Sequence, residues 1–262
     1  MISDAVMTNA YNEVWVKDLY PKTDTGWIYM IRNILLDLDD TILDFHKAEH
    51  IALAKTLKSF GLEPSQAIMD RYSEINQWHW KQLELGLLTR KEVLVGRYRQ
   101  LFDEHSIDVP AEDAQALYEK NLSIGHYFIP GAEELLERLY GKYRLDLASN
   151  GTAVVQHGRL ESSGIEKYFD KIFISEEMGA DKPSTEFFEA AFSAIPDFKK
   201  SETVMIGDSL TSDIKGGIAS GIHTVWFNPR GKKNETLFSA TPIIPETEIK
   251  SLKEIDALML EL

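Results

Sequence analysis

The stretch that most constrains the fold is an apolar run, Ile34-Leu35-Leu36, that stops in Asp37-Leu38-Asp39-Asp40-Thr41 and resumes with Ile42-Leu43. Aspartate is depleted in strands, and carboxylates a few ångströms apart resist joint ionisation. A buried strand ending in such a cluster therefore needs a counter-charge. In a parallel α/β sheet the carboxyl ends of strands are where ligands bind, and a hard divalent cation with oxygen ligands is the simplest counter-charge. Side chains alternate along a strand, so Asp37 and Asp39 share a face if the extended geometry persists, with Leu38 pointing away.

Composition narrows what such a site serves. At 262 residues and 44% hydrophobic content the chain buries a substantial core, as one domain or one domain with an insertion. Its net charge of −14 opposes attraction to nucleic acid or to an anionic membrane surface. With no cysteine there is no disulfide framework, thiolate metal site or cysteine nucleophile, so a metal must use oxygen or histidine. No apolar stretch has the length of a spanning helix, and the first thirty residues lack the basic and apolar regions of a secretory signal. The expected setting is the cytoplasm.

Residues 1–29 show no clear periodicity and read as an N-terminal extension of unknown role. Residues 46–127 read as helices: Lys47–Phe60 ended by Gly61, Gln66–Leu85 ended by Gly86, one opened by the capping box Thr89/Glu92, and one opened by Pro110. After Pro130-Gly131, short β-rich runs alternate with helices: Arg144–Ser149, Ile172–Ser175, Val204–Gly207 and Thr224–Phe227. That alternation predicts βαβ units and a doubly wound, Rossmann-like parallel sheet. Residues 30–45 and 128–262 would form this α/β core, with 46–127 inserted as a helical cap. Ser251 with Glu254 predicts a last helix running to the terminus.

Three further segments carry site chemistry. Ser149-Asn150-Gly151-Thr152 offers a hydroxyl and backbone N–H groups ahead of a helix, suited to a phosphate and equally to a simple cap. Lys182 sits in the turn Gly179-Ala180-Asp181-Lys182-Pro183-Ser184, where its charge can reach an anion; Asp181 is expected to face away from it. Asp208 follows the run Val204-Met205-Ile206-Gly207, and Asp213 lies five residues on, near the start of the helix that Gly221 closes.

In combination, Asp-x-Asp-x-Thr, strand-Ser, Lys-Pro and Gly-Asp-x-x-x-x-Asp, in this order, resemble the four motifs of the haloacid dehalogenase superfamily. The segments around Asp37, around Asp208, and Trp226-Phe227-Asn228-Pro229 resemble its bacterial pyrimidine 5′-nucleotidases. The resemblance implies a phosphomonoester hydrolase in which Asp37 attacks phosphorus to give an aspartyl-phosphate. Asp39 would protonate the leaving oxygen and then deprotonate the attacking water. It also implies Mg²⁺ held by Asp37, the Asp39 carbonyl and Asp208, with Asp213 a ligand through water or an orienter, and Ser149, the Asn150 N–H and Lys182 on the transferring phosphoryl group. Hydrolytic dehalogenases of the superfamily lack the second motif acid, present here as Asp39. Ser149 stands where this branch commonly has threonine, which keeps the hydroxyl.

A helical lid over the site favours a small phosphorylated metabolite over polymers, with the protein a monomer or a homodimer. Phe45 and His46, just after the first motif, and Trp78 and Trp80 on a cap helix are the candidate substrate contacts, an aromatic there being able to stack on a nucleobase. His46 and His50 lack a third ligand and read as a solvated face rather than a metal pair. The competing enzymatic reading is a sugar-phosphate phosphatase, acting on a phosphorylated acyl-neuraminate or phosphoglycolate. A binding or regulatory protein on the same fold would need a missing catalytic group, and none is missing.

Overall fold

The computed structural model describes residues 31–255, Ser239 excepted. The N-terminal extension and most of the expected C-terminal helix lie outside the described residues.

In chain order the described elements are β1 (Asn33–Leu36), α1 (Phe45–Ser59), α2 (Gln66–Glu84), α3 (Arg90–His105), α4 (Ala111–Leu122), α5 (Ala132–Leu139), β2 (Arg144–Ser149), α6 (Ala153–Ser163), β3 (Lys171–Ile174), α7 (Ser175–Met178), α8 (Thr185–Ser193), β4 (Thr203–Gly207), α9 (Lys215–Ser220), β5 (His223–Phe227) and β6 (Thr247–Ile249). The six strands form one parallel sheet in the order β3-β2-β1-β4-β5-β6. β1 is central, with Leu36 opposite Leu147 of β2 and Ile206 of β4. The chain moves to one side of β1 for β2 and β3 and to the other for β4 to β6, so the order reverses at the end of β1.

Alternation along the strands feeds two cores. Ile34, Leu36, Leu145, Leu147, Val204 and Ile206 face one layer, where α5 lays down Ala132, Leu135, Leu136 and Leu139 at helical spacing. Leu35, Ala148 and Met205 face the other, filled by Phe187, Phe188, Ala191 and Phe192 of α8. Both faces are covered, which is why the strands are continuously apolar. Removing one of the fully buried rings, Phe187 for example, would cost about 3 to 5 kcal/mol.

Helices α1 to α4 surround a separate apolar cluster including Leu53, Leu57, Tyr72, Leu101 and Tyr118, joined from the sheet domain by Val155 of α6. α1 packs on α4, and α2 on α3. Their starts follow the capping chemistry: Asp44 accepts from the Lys47 N–H, and Thr89 with Glu92 forms the complete capping box.

Two details depart from the sequence reading. The third strand ends at Ile174, and Ser175 opens the short α7. Strand β6 was not expected; three residues are too few to give a periodicity.

Candidate active site

The loop after β1 is folded tightly, with the Ile42 and Leu43 N–H groups both donating to the Leu38 carbonyl, at 3.0 and 2.9 Å. Asp40 takes the left-handed conformation (φ 58°), and its carboxylate accepts from the backbone N–H groups of Phe45 and His46 at 3.0 and 3.3 Å. His46 closes back on Asp40 at 3.0 Å. This pair pins the loop that presents Asp37 and Asp39.

The buried Thr41 joins two strand ends. Its hydroxyl donates to Asp37 Oδ2 at 3.2 Å and accepts the Asp208 N–H at 3.1 Å. Asp213 reaches the same place from the π-helical turn Leu210–Ile214, and its Oδ2 accepts the Ser209 N–H at 3.0 Å. A side chain at residue 207 would strike Asp213, so glycine is required there for close approach.

Asp37, Asp208 and Asp213 each offer a carboxylate oxygen within 4.8 Å of the others. Lys182 is buried among them, its Nζ donating to Asp37 Oδ1 and Asp213 Oδ1 at 2.7 Å each and to the Ala148 carbonyl at 2.5 Å. Burial pushes the Asp37 and Asp213 carboxyls up; Lys182 opposes the shift, while neighbouring carboxylates add to it. Burial also pushes Asp208 up, to about 6, although Lys232 lies 3.1 Å away. Burial disfavours the Lys182 charge, but Asp213 and Asp37 outweigh it and hold the ammonium above its ordinary range. Two lysines, the buried Lys182 and the half-exposed Lys232, among three crowded carboxylates leave negative charge unmet. The donor set, all hard oxygen, fits a divalent cation of the Mg²⁺ type.

The lysine turn is fastened to the loop after β2 by two reciprocal bonds, Asn150 Nδ2 to the Lys182 carbonyl and the Lys182 N–H to Asn150 Oδ1, both 2.8 Å. Asp181 turns away from Lys182 and pairs with Arg90 of α3. Arg90 also donates to the Asn150 and Gly151 carbonyls at 3.0 and 3.3 Å and to Ser175 Oγ at 2.6 Å. On the other side of the mouth, Thr211 donates to Glu84 of α2 at 3.0 Å. The helical block is thus closed onto the loops carrying Asn150, Lys182 and Asp213.

Between them lies a cleft of about 210 Å³ whose lining includes Asp37, Asp39, Lys182, Asp208 and Asp213 from the sheet domain, with Phe45, Trp80, Leu94, Tyr118 and Glu119 opposite. The cleft thus brings together the two motif acids, Lys182, Asn150 and the remaining two aspartates. Ser149 is buried and does not reach the lining; its Oγ accepts from the Gly151 N–H at 3.2 Å and Gln156 Nε2 at 2.7 Å, which leaves its own O–H to donate.

Of the aromatic candidates, Phe45 and Trp80 line the cleft, whereas His46 and Trp78 do not. His46 is engaged with Asp40. Trp78, two residues from Trp80, is turned some 200° around the helix and stands 54% exposed beside Arg71 and Gln100. Sequence reading also missed Arg90, Gln156 and Arg159. The last two hold Asp39: Arg159 by an ion pair, Gln156 through Nε2 at 2.7 Å.

A parallel sheet reversing at an acidic strand end, with a lysine and two further aspartates gathered from neighbouring strands, is the site of a hydrolase class, and comparison places the chain in it. Residues 34–227 match the family model of haloacid dehalogenase-like hydrolases, and the chain belongs to that family, as an enzyme of its phosphatase type. It is 38% identical to the HAD-hydrolase YfnB of Bacillus subtilis over 224 residues, 86% of this chain and 93% of that protein. The crystal structure of YfnB bound to magnesium superposes with a TM-score of 0.82 at 37% identity, covering 87% of this chain and 98% of that one. The pyrimidine 5′-nucleotidase PynA of Streptococcus pneumoniae is 39% identical over 204 residues, 78% of this chain and 86% of PynA. The mouse N-acylneuraminate-9-phosphatase is 30% identical over 252 residues, 87% of this chain and 94% of that protein. Among the described residues no helix is long and apolar enough to cross a membrane.

Proposed function

We propose that the protein is a Mg²⁺-dependent 5′-nucleotidase that hydrolyses small phosphomonoesters through an aspartyl-phosphate and prefers (deoxy)pyrimidine monophosphates. The observation that carries the chemistry is the placement of Asp37 and Asp39 in one cleft with Lys182 beside Asp37 and Arg159 beside Asp39. Asp37 serves as nucleophile. Its oxygen forms the new bond to phosphorus while the bond to the leaving oxygen breaks, and that oxygen takes its proton from Asp39. A water then attacks the same phosphorus, gives a proton to Asp39, and the Asp37 carboxylate departs, releasing phosphate. Lys182 and the Asn150 backbone N–H hold the phosphoryl oxygens, and the buried Ser149 supports the loop behind them.

Asp37, Asp208, Asp213 and the Asp39 carbonyl are the groups that would hold Mg²⁺. Such a cation, when bound, supplies positive charge for the phosphoryl oxygens and for the crowded carboxylates. In the cap wall, Trp80 offers a face for a base and Leu94 and Leu122 an apolar surround, which supports a nucleoside leaving group. The similarity to PynA supports the pyrimidine preference. The mouse relative favours a second reading, a sugar-phosphate phosphatase, with the same chemistry.

The test is phosphate release with Mg²⁺ and with EDTA from UMP, dUMP, dTMP, purine monophosphates, sugar phosphates and phosphoglycolate, using Asp37→Asn as blank. Metal-dependent preference for the pyrimidine esters is expected. Preference for a sugar phosphate would overturn the substrate assignment, and full activity in Asp37→Asn would overturn the mechanism.

A further inference from the structure

We propose that Gln156 and Arg159, one turn apart on α6, are positioning residues that hold the leaving-group acid Asp39 in register with the phosphoryl-binding loop. The inference rests on the phosphomonoesterase reading above and extends it to two side chains that no motif contains.

Arg159 is wholly buried, where a guanidinium is costly unless it is paired. Its Nη1 pairs with Asp39 Oδ1, its Nε donates to the Gly125 carbonyl at 3.0 Å, and its Nη2 has no hydrogen-bond partner. Asp39 is the carboxylate with which it pairs among the described residues, and the Phe45 ring lies 5.9 Å from the guanidinium carbon. A leucine or methionine would fill such a place without the charge. The guanidinium therefore reads as a fixed anchor for Asp39, as Lys182 is for Asp37.

Gln156 supplies the register. Its Nε2 donates to Asp39 Oδ2 and to Ser149 Oγ, both at 2.7 Å, so the two amide hydrogens go one to the acid and one to the buried hydroxyl at the base of the loop that carries Asn150. The amide occupies space that a side chain at residue 151 would take, so the absence of a Cβ at Gly151 is what lets it reach both partners. The proton donor and the start of the Asn150 loop are thus tied through a single amide. The step served is transfer of the Asp39 proton to the leaving oxygen as the P–O bond breaks, the electron pair going to that oxygen.

The leaving group discriminates this role from a structural one, since p-nitrophenolate departs without a proton and an alkoxide does not. The value of kcat/KM reports events up to leaving-group departure and excludes hydrolysis of the phosphoenzyme. It should be measured on p-nitrophenyl phosphate and on the best alkyl phosphate of the panel above, with melting curves, for wild type, Asp39→Asn, Gln156→Leu, Arg159→Met and Arg159→Lys. Misplacing the acid should lower kcat/KM on the alkyl ester about 100-fold in Gln156→Leu and Arg159→Met, and on p-nitrophenyl phosphate by under about 5-fold, the pattern also expected of Asp39→Asn. Arg159→Lys should recover part of the alkyl activity. If Arg159→Met fails to fold, Gln156→Leu alone decides the matter. Equal losses on both esters, or none, with Asp39→Asn still selective, would overturn the positioning role alone. An unselective but folded Asp39→Asn would overturn the acid assignment and this inference with it.

Discussion

Replacing Lys182 by methionine removes a charge and keeps the length and apolar stem of the side chain, so its effect can be worked from the site. Lys182 is 1% exposed and bonds to two buried carboxylates. Removing one partner of a buried ion pair costs about 3 to 5 kcal/mol, because the remaining charge is left uncompensated. For a chain of this size that lowers the melting temperature by roughly 6 to 20 °C. The loss has a pH signature. Burial and mutual repulsion already raise Asp37 and Asp213, and without Lys182 the shift grows. The folded carboxyls then hold protons that the unfolded ones release. Stability of the variant should therefore fall as pH rises above the ordinary carboxylate range. Melting curves from pH 5 to 8, in EDTA and in Mg²⁺, read this directly. The deficit should be largest in EDTA at high pH and shrink in Mg²⁺, where the cation supplies the missing charge. Turnover should drop by about 10² to 10³ as an oxyanion partner is lost. A variant melting within about 2 °C of wild type in EDTA at pH 8, a difference under about 1 kcal/mol, would refute the account of a crowded, under-neutralised cluster.

Gly207→Ala should destabilise by about 1 to 3 kcal/mol, because its Cβ meets Asp213 and that side chain is pinned by Lys182 and Ser209; a melting curve and p-nitrophenyl phosphate turnover check it. His223 is a pH test away from the site. Burial disfavours its charge, but Glu246 at 2.8 Å overrides this and raises it. The pair's stabilisation is full below the ordinary histidine value and is lost as pH rises through the raised one, so His223→Gln should flatten the stability profile there. Trp80→Ala should raise KM for a nucleotide about 3- to 10-fold through lost stacking, with Trp78→Ala leaving it unchanged; steady-state kinetics on the two variants decide between the faces of α2.

Much of this site was legible because acids at strand ends are conspicuous against apolar runs. Asp37, Asp39, Asp208 and Asp213 each follow or flank a β-rich segment, with Lys182 between Asp39 and Asp208 in the chain, but that they meet in one site was expected from the resemblance of the four motifs in their order, since each alone reads as a cap or a solvated turn. The helical block was legible for the same reason, from caps at Thr89 and stops at Gly61 and Gly86. What was illegible depends on partners distant in sequence. Gln156 and Arg159 read as ordinary polar residues of a helix, yet they meet Asp39 more than a hundred residues earlier. Arg90 looks like any residue opening a helix until α3 is laid against the loop at Asn150. The choice between Trp78 and Trp80 was half legible, since two residues on a helix cannot share a face. Which of them faces the cleft was decided by the packing of α2 and α3.

The charge balance of the cleft explains why so many fixed contacts converge there. Its lining carries seven carboxylates, Asp37, Asp39, Glu84, Glu119, Asp181, Asp208 and Asp213, against two cations, Arg97 and Lys182. A phosphate ester carries negative charge into this surface, where low dielectric strengthens every repulsion. The protein removes part of the excess at the rim, where Arg90 takes Asp181, Lys81 takes Glu84 and Lys232 takes Asp208. It removes more at the floor, where Lys182 and Arg159 divide the two motif acids between them. The cations Lys182 and Arg97 that face the cleft are already engaged, Lys182 by carboxylates and Arg97 by Asn76, Gln115 and three tyrosine rings. Under the proposed mechanism the protein's own side chains would thus prepare Asp37 and Asp39 but leave an anionic substrate under-compensated. The proposed divalent cation would then serve substrate entry as well as reaction, so the Mg²⁺ dependence of the proposed activity is expected to show in KM as well as in kcat.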